Sequence, residues 1–258
     1  MSHRPSTRDS AAVVPAEAAW TARISLSDAK PITVSCVPIR TVRDLMIELP
    51  TLDGGGLKPV NAPWSGNLHD AYVGTGSAVR SNFLDARLRR SHLEHVDFTE
   101  TVWEDVAAVG CTFERVDLSA ARLTGVTIER CHFIGCTFTF ANLAETTLDN
   151  VLFESCRLNN ATLTEVRTIG PTAFVGSVLV NAVVRDSSLR QMALQGCRLR
   201  QITFDDVDLR GADLRGNRIA EIIGLASLRG IVIEPAQLAD LTDAVIRDLE
   251  VDVRGPAS

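Results

Sequence analysis

The stretch CHFIGC, residues 131–136, has the residue types of half a zinc site. Cys131 and Cys136 have four residues between them, His132 lies inside the pair, and zinc ligands occur as cysteine pairs at such spacings. A second cluster, SHLEHVD at 91–97, brings His92, Glu94, His95 and Asp97 together, a set that could bind a metal or move protons. GTGSAVR at 74–80 has glycines in the manner of a loose phosphate loop, without the Gly-Lys-Ser/Thr ending that holds a nucleotide. No G-x-S-x-G or H-E-x-x-H motif occurs.

The cysteines themselves argue for a different origin. From Cys111 the steps to Cys131, Cys136, Cys156 and Cys197 are 20, 5, 20 and 41 residues, multiples of five with one slip. Metal coordination gives no reason to count in fives, whereas a repeat does. Blocks of five from Ser81 read SNFLD, ARLRR, SHLEH, VDFTE, TVWED, VAAVG, CTFER, VDLSA, ARLTG, VTIER, CHFIG, CTFTF, ANLAE, TTLDN, VLFES, CRLNN, ATLTE. The third position is large and apolar in every block but the one holding Ala108, and the first is small or β-branched. The frame runs back to Gly66, takes one extra residue at VRTIGP (166–171), and resumes through TAFVG to NRIAE. In this frame Cys131 and Cys136 are small inward residues and His132 faces out. His92, Glu94, His95 and Asp97 spread outward over two faces and a corner. Gly74 and Gly76 fit a tight corner and a small inward position. The expectation is therefore no catalytic, cofactor or metal site.

A period of five fits neither a helix at 3.6 nor a strand at 2. It fits a coil of short strands and corners with positions one and three inside. The blocks ADLRG, ANLAE, VDLRG and VDLSA resemble the pentapeptide-repeat family, whose pattern is A-(D/N)-L-x-x. That resemblance implies an all-β solenoid, a right-handed four-sided parallel β-helix with twenty residues per turn and about eight coils. Phe113, Phe133 and Phe153 fall twenty apart, with Phe174 twenty-one further on, so their rings would stack along one wall. Coils about 4.8 Å apart would make a rod near 40 Å long.

The chain divides into a polar tail at 1–20, an N-terminal cap or small appended segment at 21–65, the β-helix at 66–235, and a C-terminal helix and tail at 236–258. Within 21–65, ARISL and PITVSCV read as short strands, and TVRDLMIEL as a short helix with Val42, Leu45, Met46 and Leu49 on one face. The extra residue at 166–171 reads as a corner bulge. After Pro235, a helix would line up Leu238, Leu241, Val245 and Leu249, serving as an end cap, a homodimer contact, or both.

With 26 basic and 32 acidic residues the net charge is −6, which disfavours direct nucleic-acid binding. Arginine supplies all but Lys30 and Lys58 of the positive charge, which with the Ala, Val and Gly content suggests a GC-rich bacterial genome. No apolar run spans a membrane and the N-terminus lacks a signal-peptide core. Unpaired inward cysteines suit a reducing cytoplasm.

Numbering four walls from SNFLD, wall one collects Asp85, Glu104, Asp105, Glu145, Glu165, Asp186, Asp205 and Asp206. Wall two collects Arg87, Arg89, Arg90, Arg130, Arg167, Arg190 and Arg210. These are the candidate interaction walls. The family resemblance implies a non-enzymatic scaffold with a protein partner. In some members the rod imitates DNA, binds DNA gyrase or topoisomerase IV, and confers drug or toxin resistance. Over 81–221 the count is 15 basic against 19 acidic residues, only mildly acidic, and no long loop interrupts the coils. The alternatives are a structural or regulatory module whose first 65 residues bind the partner, and an enzyme built on a β-helix.

Overall fold

The computed structural model describes residues 37–52, 56–64, 66–250 and 254. The strands expected at ARISL and PITVSCV lie outside these residues, apart from Val37, which is not in a strand. From Leu68 onward the chain winds as a four-sided parallel β-helix. Wall one is a seven-stranded sheet in which Phe83, Trp103, Leu123, Leu143, Leu163, Val184 and Phe204 lie in register. Wall three stacks eight strands, the first of them Lys58–Pro59, which lies ahead of the repeat frame and pairs with Ala71–Val73.

The repeat explains the coil atom by atom. Position three points inward, and Leu88, Leu93, Phe98 and Phe138 are fully buried. Position one is also inward, and Ala86, Ser91, Cys111, Cys131, Cys136 and Cys156 line the space beside each corner. Each large inward side chain contributes about 1.5–3 kcal/mol by leaving water. Position five turns the corner in the left-handed region, with φ of 52° at Asp85, 54° at Asp105, 59° at Phe140 and 55° at Glu165. Such a φ is uncommon for a residue with a β-carbon. It is held here because the corner N–H donates to the next coil, as from Asp85 to the Glu104 carbonyl (2.9 Å) and from Glu145 to the Thr164 carbonyl (3.0 Å).

Like side chains consequently stack on like. Phe113, Phe133, Phe153 and Phe174 form a continuous column with centroid spacings of 4.6, 4.8 and 4.5 Å and interplanar angles of 10° or less. Trp64, Phe83, Phe98 and Trp103 close the N-terminal end of the core in tilted and edge-on contacts. The extra residue of VRTIGP lies at the corner between walls two and three, where Ile169 is exposed. Registers of 21 residues across it, such as Arg157 with Val178, return to 20 at Val178 with Arg198.

The segment expected to be a helix at 41–49 is instead a β-hairpin, β1 (Ile39–Val42) and β2 (Leu45–Glu48), turning at Arg43, whose φ is 56°. Tertiary packing decides this. Leu152, Ala173 and Ala193 are outward residues of wall three, and an extended ribbon covers them with Val42 and Ile47, leaving Met46 exposed. Nine residues of helix would be marginal without such packing. The ribbon is pinned at one end by Arg43 donating to the Arg215 carbonyl (2.7 Å) and by Arg215 with Asp44 (3.0 Å). At the other end, the Glu48 N–H donates to Asn150 Oδ1 and Arg40 approaches Glu154.

The last coil ends under a 3-10 turn (Pro235–Gln237) and α1 (Leu238–Asp248). Their polar side chains satisfy the open backbone edge. Asp240 accepts from the Ile219 N–H, Asp248 from Gly224 and Leu225, and Gln237 donates to the Leu214 and Asn217 carbonyls. Of the anticipated apolar row, Leu241 packs on the core, Val245 is half-buried, and Leu238 and Leu249 are exposed. The face in contact instead includes Gln237, Leu241 and Ala244, because the carboxylates of Asp240 and Asp248 must reach the coil edge.

Replacing Phe133 by Ala removes a ring packed between two others. The expected loss is about 3–5 kcal/mol, read as a shift of the guanidinium unfolding midpoint with the far-ultraviolet spectrum of the folded protein unchanged.

Candidate functional site

The residues of the apparent zinc half-site part company in the coil. The Cys131 thiol donates inside the rod to the carbonyls of Ala108 (3.4 Å) and Glu129 (3.3 Å), and Cys136 to that of Phe113 (3.2 Å). Burial pushes the Cys131 and Cys156 thiols up, and Cys197 to about 11, away from the thiolate a metal needs. Among the described residues no group of three or more His, Cys, Asp or Glu is arranged to hold a metal ion. No helix among them is long and apolar enough to cross a membrane.

His132 stands on the outside of wall three, in one of three diagonal contacts between successive coils, with Thr112 and Ile134 interrupting the series. Tyr72 donates to Glu94 (2.7 Å), His92 lies 3.5 Å from Glu114 outside hydrogen-bond geometry, and His132 Nε2 meets Glu154 at 3.1 Å. His95 Nδ1 is 3.4 Å from Glu94, so His92, Glu94 and His95 of the SHLEHVD cluster each lie against a surface neighbour, while Asp97 stands on wall four and accepts from the Thr99 N–H. The Tyr72 hydrogen bond holds Glu94 below its ordinary value.

The two charged walls differ in a way that counting charges conceals. Asp85, Asp105, Glu145, Glu165, Asp186 and Asp206 all occupy the left-handed corner between walls one and two, one above another. Only Gly125 interrupts the column, and a β-carbon there would collide with the Asp105 carboxylate. Glu104 and Asp205 sit one residue before that corner on wall one. All eight carboxylates are exposed. Asp205 has Arg185 at 3.5 Å, and the other seven have no ion-pair partner among the described residues.

The arginines of wall two are mostly committed. Arg190 and Arg210 both grip Asp208, holding its carboxyl well below the usual range, with the Arg210 hydrogen bond the largest cause. Arg90 pairs with Asp70 (2.6 Å), Arg130 with Glu129 (2.7 Å), and Arg87 donates to the carbonyls of Asp85, Ala86 and Asp105. Only Arg89 and Arg167 lack such a partner among the described residues. Four of the seven arginines are thus tied to three carboxylates, Asp70, Glu129 and Asp208, and the wall keeps a net positive charge, while in the acidic set only Asp205 has an arginine beside its carboxylate among the described residues.

Residues 106–169 match the family model described as "Pentapeptide repeat region", and residues 185–216 match "Pentapeptide repeats (8 copies)". The coil is a pentapeptide-repeat β-helix. No curated protein matches the sequence. Among solved structures, the pentapeptide-repeat rod is similar to a trypsin-treated variant of QnrB1, a plasmid-mediated fluoroquinolone resistance protein. The two are 12% identical over 77% of this chain and 100% of that one, with a TM-score of 0.44. It is also similar to HetL from the cyanobacterium Nostoc sp. strain PCC 7120, a pentapeptide repeat protein involved in heterocyst differentiation regulation. The figures there are 21% identity, 66% and 79% coverage, and a TM-score of 0.27. A pentapeptide repeat protein from the Arabidopsis thaliana thylakoid lumen is 18% identical over 44% of this chain and 65% of its own, at 0.20. At TM-scores under 0.5 none of them specifies what this rod binds.

The wall-three contacts give the rod a pH signature. Burial pushes His132 below its ordinary value near 6.5, against the opposing pull of Glu154. A lowered histidine means that the unfolded chain binds the proton more readily, so this stabilising contribution is present above about pH 6.5 and lost as pH falls below it. The lowered carboxylates Asp70, Glu94, Glu100 and Asp208 lose theirs only below their ordinary values near 4. Between pH 7.5 and 5.5 the melting temperature of His132→Gln is expected to vary less than that of the native chain, as followed by differential scanning calorimetry.

Proposed function

We propose that this pentapeptide-repeat rod is a non-catalytic interaction protein whose acidic corner docks on a basic protein surface. The DNA-binding saddle of a type II topoisomerase, DNA gyrase or topoisomerase IV, is the partner that this chemistry fits best. The observation that carries the reading is the comparison of the four corner columns. Each requires the same left-handed backbone, and three of them meet it with mixed residues. The corner after wall two has Arg90, Gly110, Arg130 and Asn150; that after wall three, His95, Arg115, Gly135 and Ser155; that after wall four, Glu100, Ala120, Phe140 and Asn160. Only the corner after wall one is carboxylate in every coil but one. The fold does not ask for this.

The column also has a cost. Carboxylates one coil apart, at about 5 Å, repel by roughly 0.8 kcal/mol per neighbour even at the dielectric of water, less after salt screening. A basic partner turns that repulsion into attraction and accelerates encounter. At about 4.8 Å per coil, the row from Asp85 to Asp206 extends about 29 Å, a straight line of negative charge on a rigid support.

The test is a gyrase supercoiling assay titrated with the purified protein, with and without a fluoroquinolone. The native chain is expected to inhibit gyrase or protect it from the drug. The combined variant Asp105→Asn, Glu145→Gln, Glu165→Gln, Asp186→Asn is expected to be at least about tenfold weaker with its circular dichroism unchanged. No effect of the native chain, or equal potency of the variant, sinks the topoisomerase reading.

A further inference from the structure

Wall four is neutral when its charges are summed, yet it is divided end to end. Its second-position residues form one in-register column: Asp97, Asp117, Thr137, Arg157, Val178 and Arg198, each bridged to the next. Arg218 follows one coil later. Asp97 and Asp117 are half-buried, each with one carboxylate oxygen accepting a local N–H, from Thr99 and Ser119, and neither has an ion pair among the described residues. At the other end Arg157, Arg198 and Arg218 are exposed and likewise have no carboxylate partner among the described residues, while Arg200 is paired with Glu221 (3.2 Å). Arg198, Arg200 and Arg218 line a cleft of about 490 Å³ beside the bare corners of Gly196 and Gly216.

We infer that wall four is a self-association surface on which two copies of the chain pack antiparallel, the acidic half of each against the basic half of the other. A two-fold axis crossing the wall at Arg157 preserves lateral position and reverses coil order, as an isologous contact requires. Asp97 then faces the partner's Arg218, Asp117 the partner's Arg198, Ser119 the partner's Arg200, and Thr137 the partner's Val178. The two carboxylates arrive at the arginine cleft.

The same operation explains Phe140. Its ring is 66% exposed on a left-handed corner beside wall four, two unfavourable features in one residue. In this register Phe140 comes over the partner's Val178–Asn181 stretch, where Val178 and Val180 are outward and half-buried. Parallel packing, about an axis along the rod, would instead set second-position residues on fourth-position ones of the same coil, leaving Asp97 on Thr99 and Asp117 on Ser119 with no arginine opposite and bringing Arg198 onto Arg200. The antiparallel register leaves one like pair in the column, Arg157 with its own copy at the axis, flanked by Asn159.

The contact is small. Three extended residues per coil make the wall about 10 Å wide, so each copy covers several hundred Å², below the roughly 800 Å² per partner of a standard interface. The dimer is therefore weak and loses affinity as salt rises. This surface lies on the wall opposite wall two, away from the acidic corner, so it stands or falls independently of the topoisomerase reading.

Sedimentation velocity of the full chain over a concentration series, at low and high NaCl, measures it. A salt-sensitive monomer–dimer equilibrium is expected. Asp117→Arg and Arg198→Asp are each expected to weaken it at least about tenfold. Combining both substitutions in one chain exchanges the charges of each facing pair and restores dimerisation, which a folding defect would not do. A monomer at all concentrations overturns the proposal. So does a dimer that tolerates both single reversals, or one abolished by Leu238→Ser and Leu249→Ser, which would place the contact on α1.

Discussion

The hydrogen bond from each corner N–H to the carbonyl one coil away is the constraint on which the rest of this molecule depends. It holds every fifth residue in a backbone region that side chains seldom occupy. It also sets the next block at a fixed height and a fixed quarter of a turn. Positions one and three have no choice but to face inward, and two, four and five face out. The phenylalanine column, the buried thiols and the charged edges are all consequences of that one repeated turn.

A sheet so regular must still deal with its ends and its exposed faces. A bare last coil offers unpaired strand groups to any passing chain. Here Gln237, Asp240 and Asp248 answer them individually, so the polar residues around α1 matter as much as its apolar ones. Wall three meets the complementary problem. Its outward Leu152, Ala173 and Ala193 would make a dry patch in water, and the β1–β2 ribbon covers it. The β1–β2 ribbon is thereby joined to the side of the coil over a span that runs from Asn150 to Arg215.

The coil itself was legible in the sequence because its period is written into every block, and the ring stack followed from spacing alone. The hairpin was not. Val42, Leu45, Met46 and Leu49 suit a helix when read locally, and the surface that selects a ribbon lies more than a hundred residues away in the chain. The charged residues were found, but summing them by wall hid their arrangement. The acidic set proved to be a corner column, visible only when the fifth position is read down the coils. Four of the basic set, Arg90, Arg130, Arg190 and Arg210, are held by Asp70, Glu129 and Asp208, whose side-chain reach no repeat frame contains. Wall four failed the same way, since its two halves cancel in a sum.

The slip at VRTIGP has a further consequence. The added residue is absorbed at one corner, so Glu165 is still followed directly by Asp186 in the acidic column, and Phe153 by Phe174 in the ring stack. The coil therefore behaves like text that tolerates a typing error without losing its margins. An insertion lengthens one line and leaves every column aligned. Such a molecule can drift in length through its evolutionary history and keep whatever pattern its edges display.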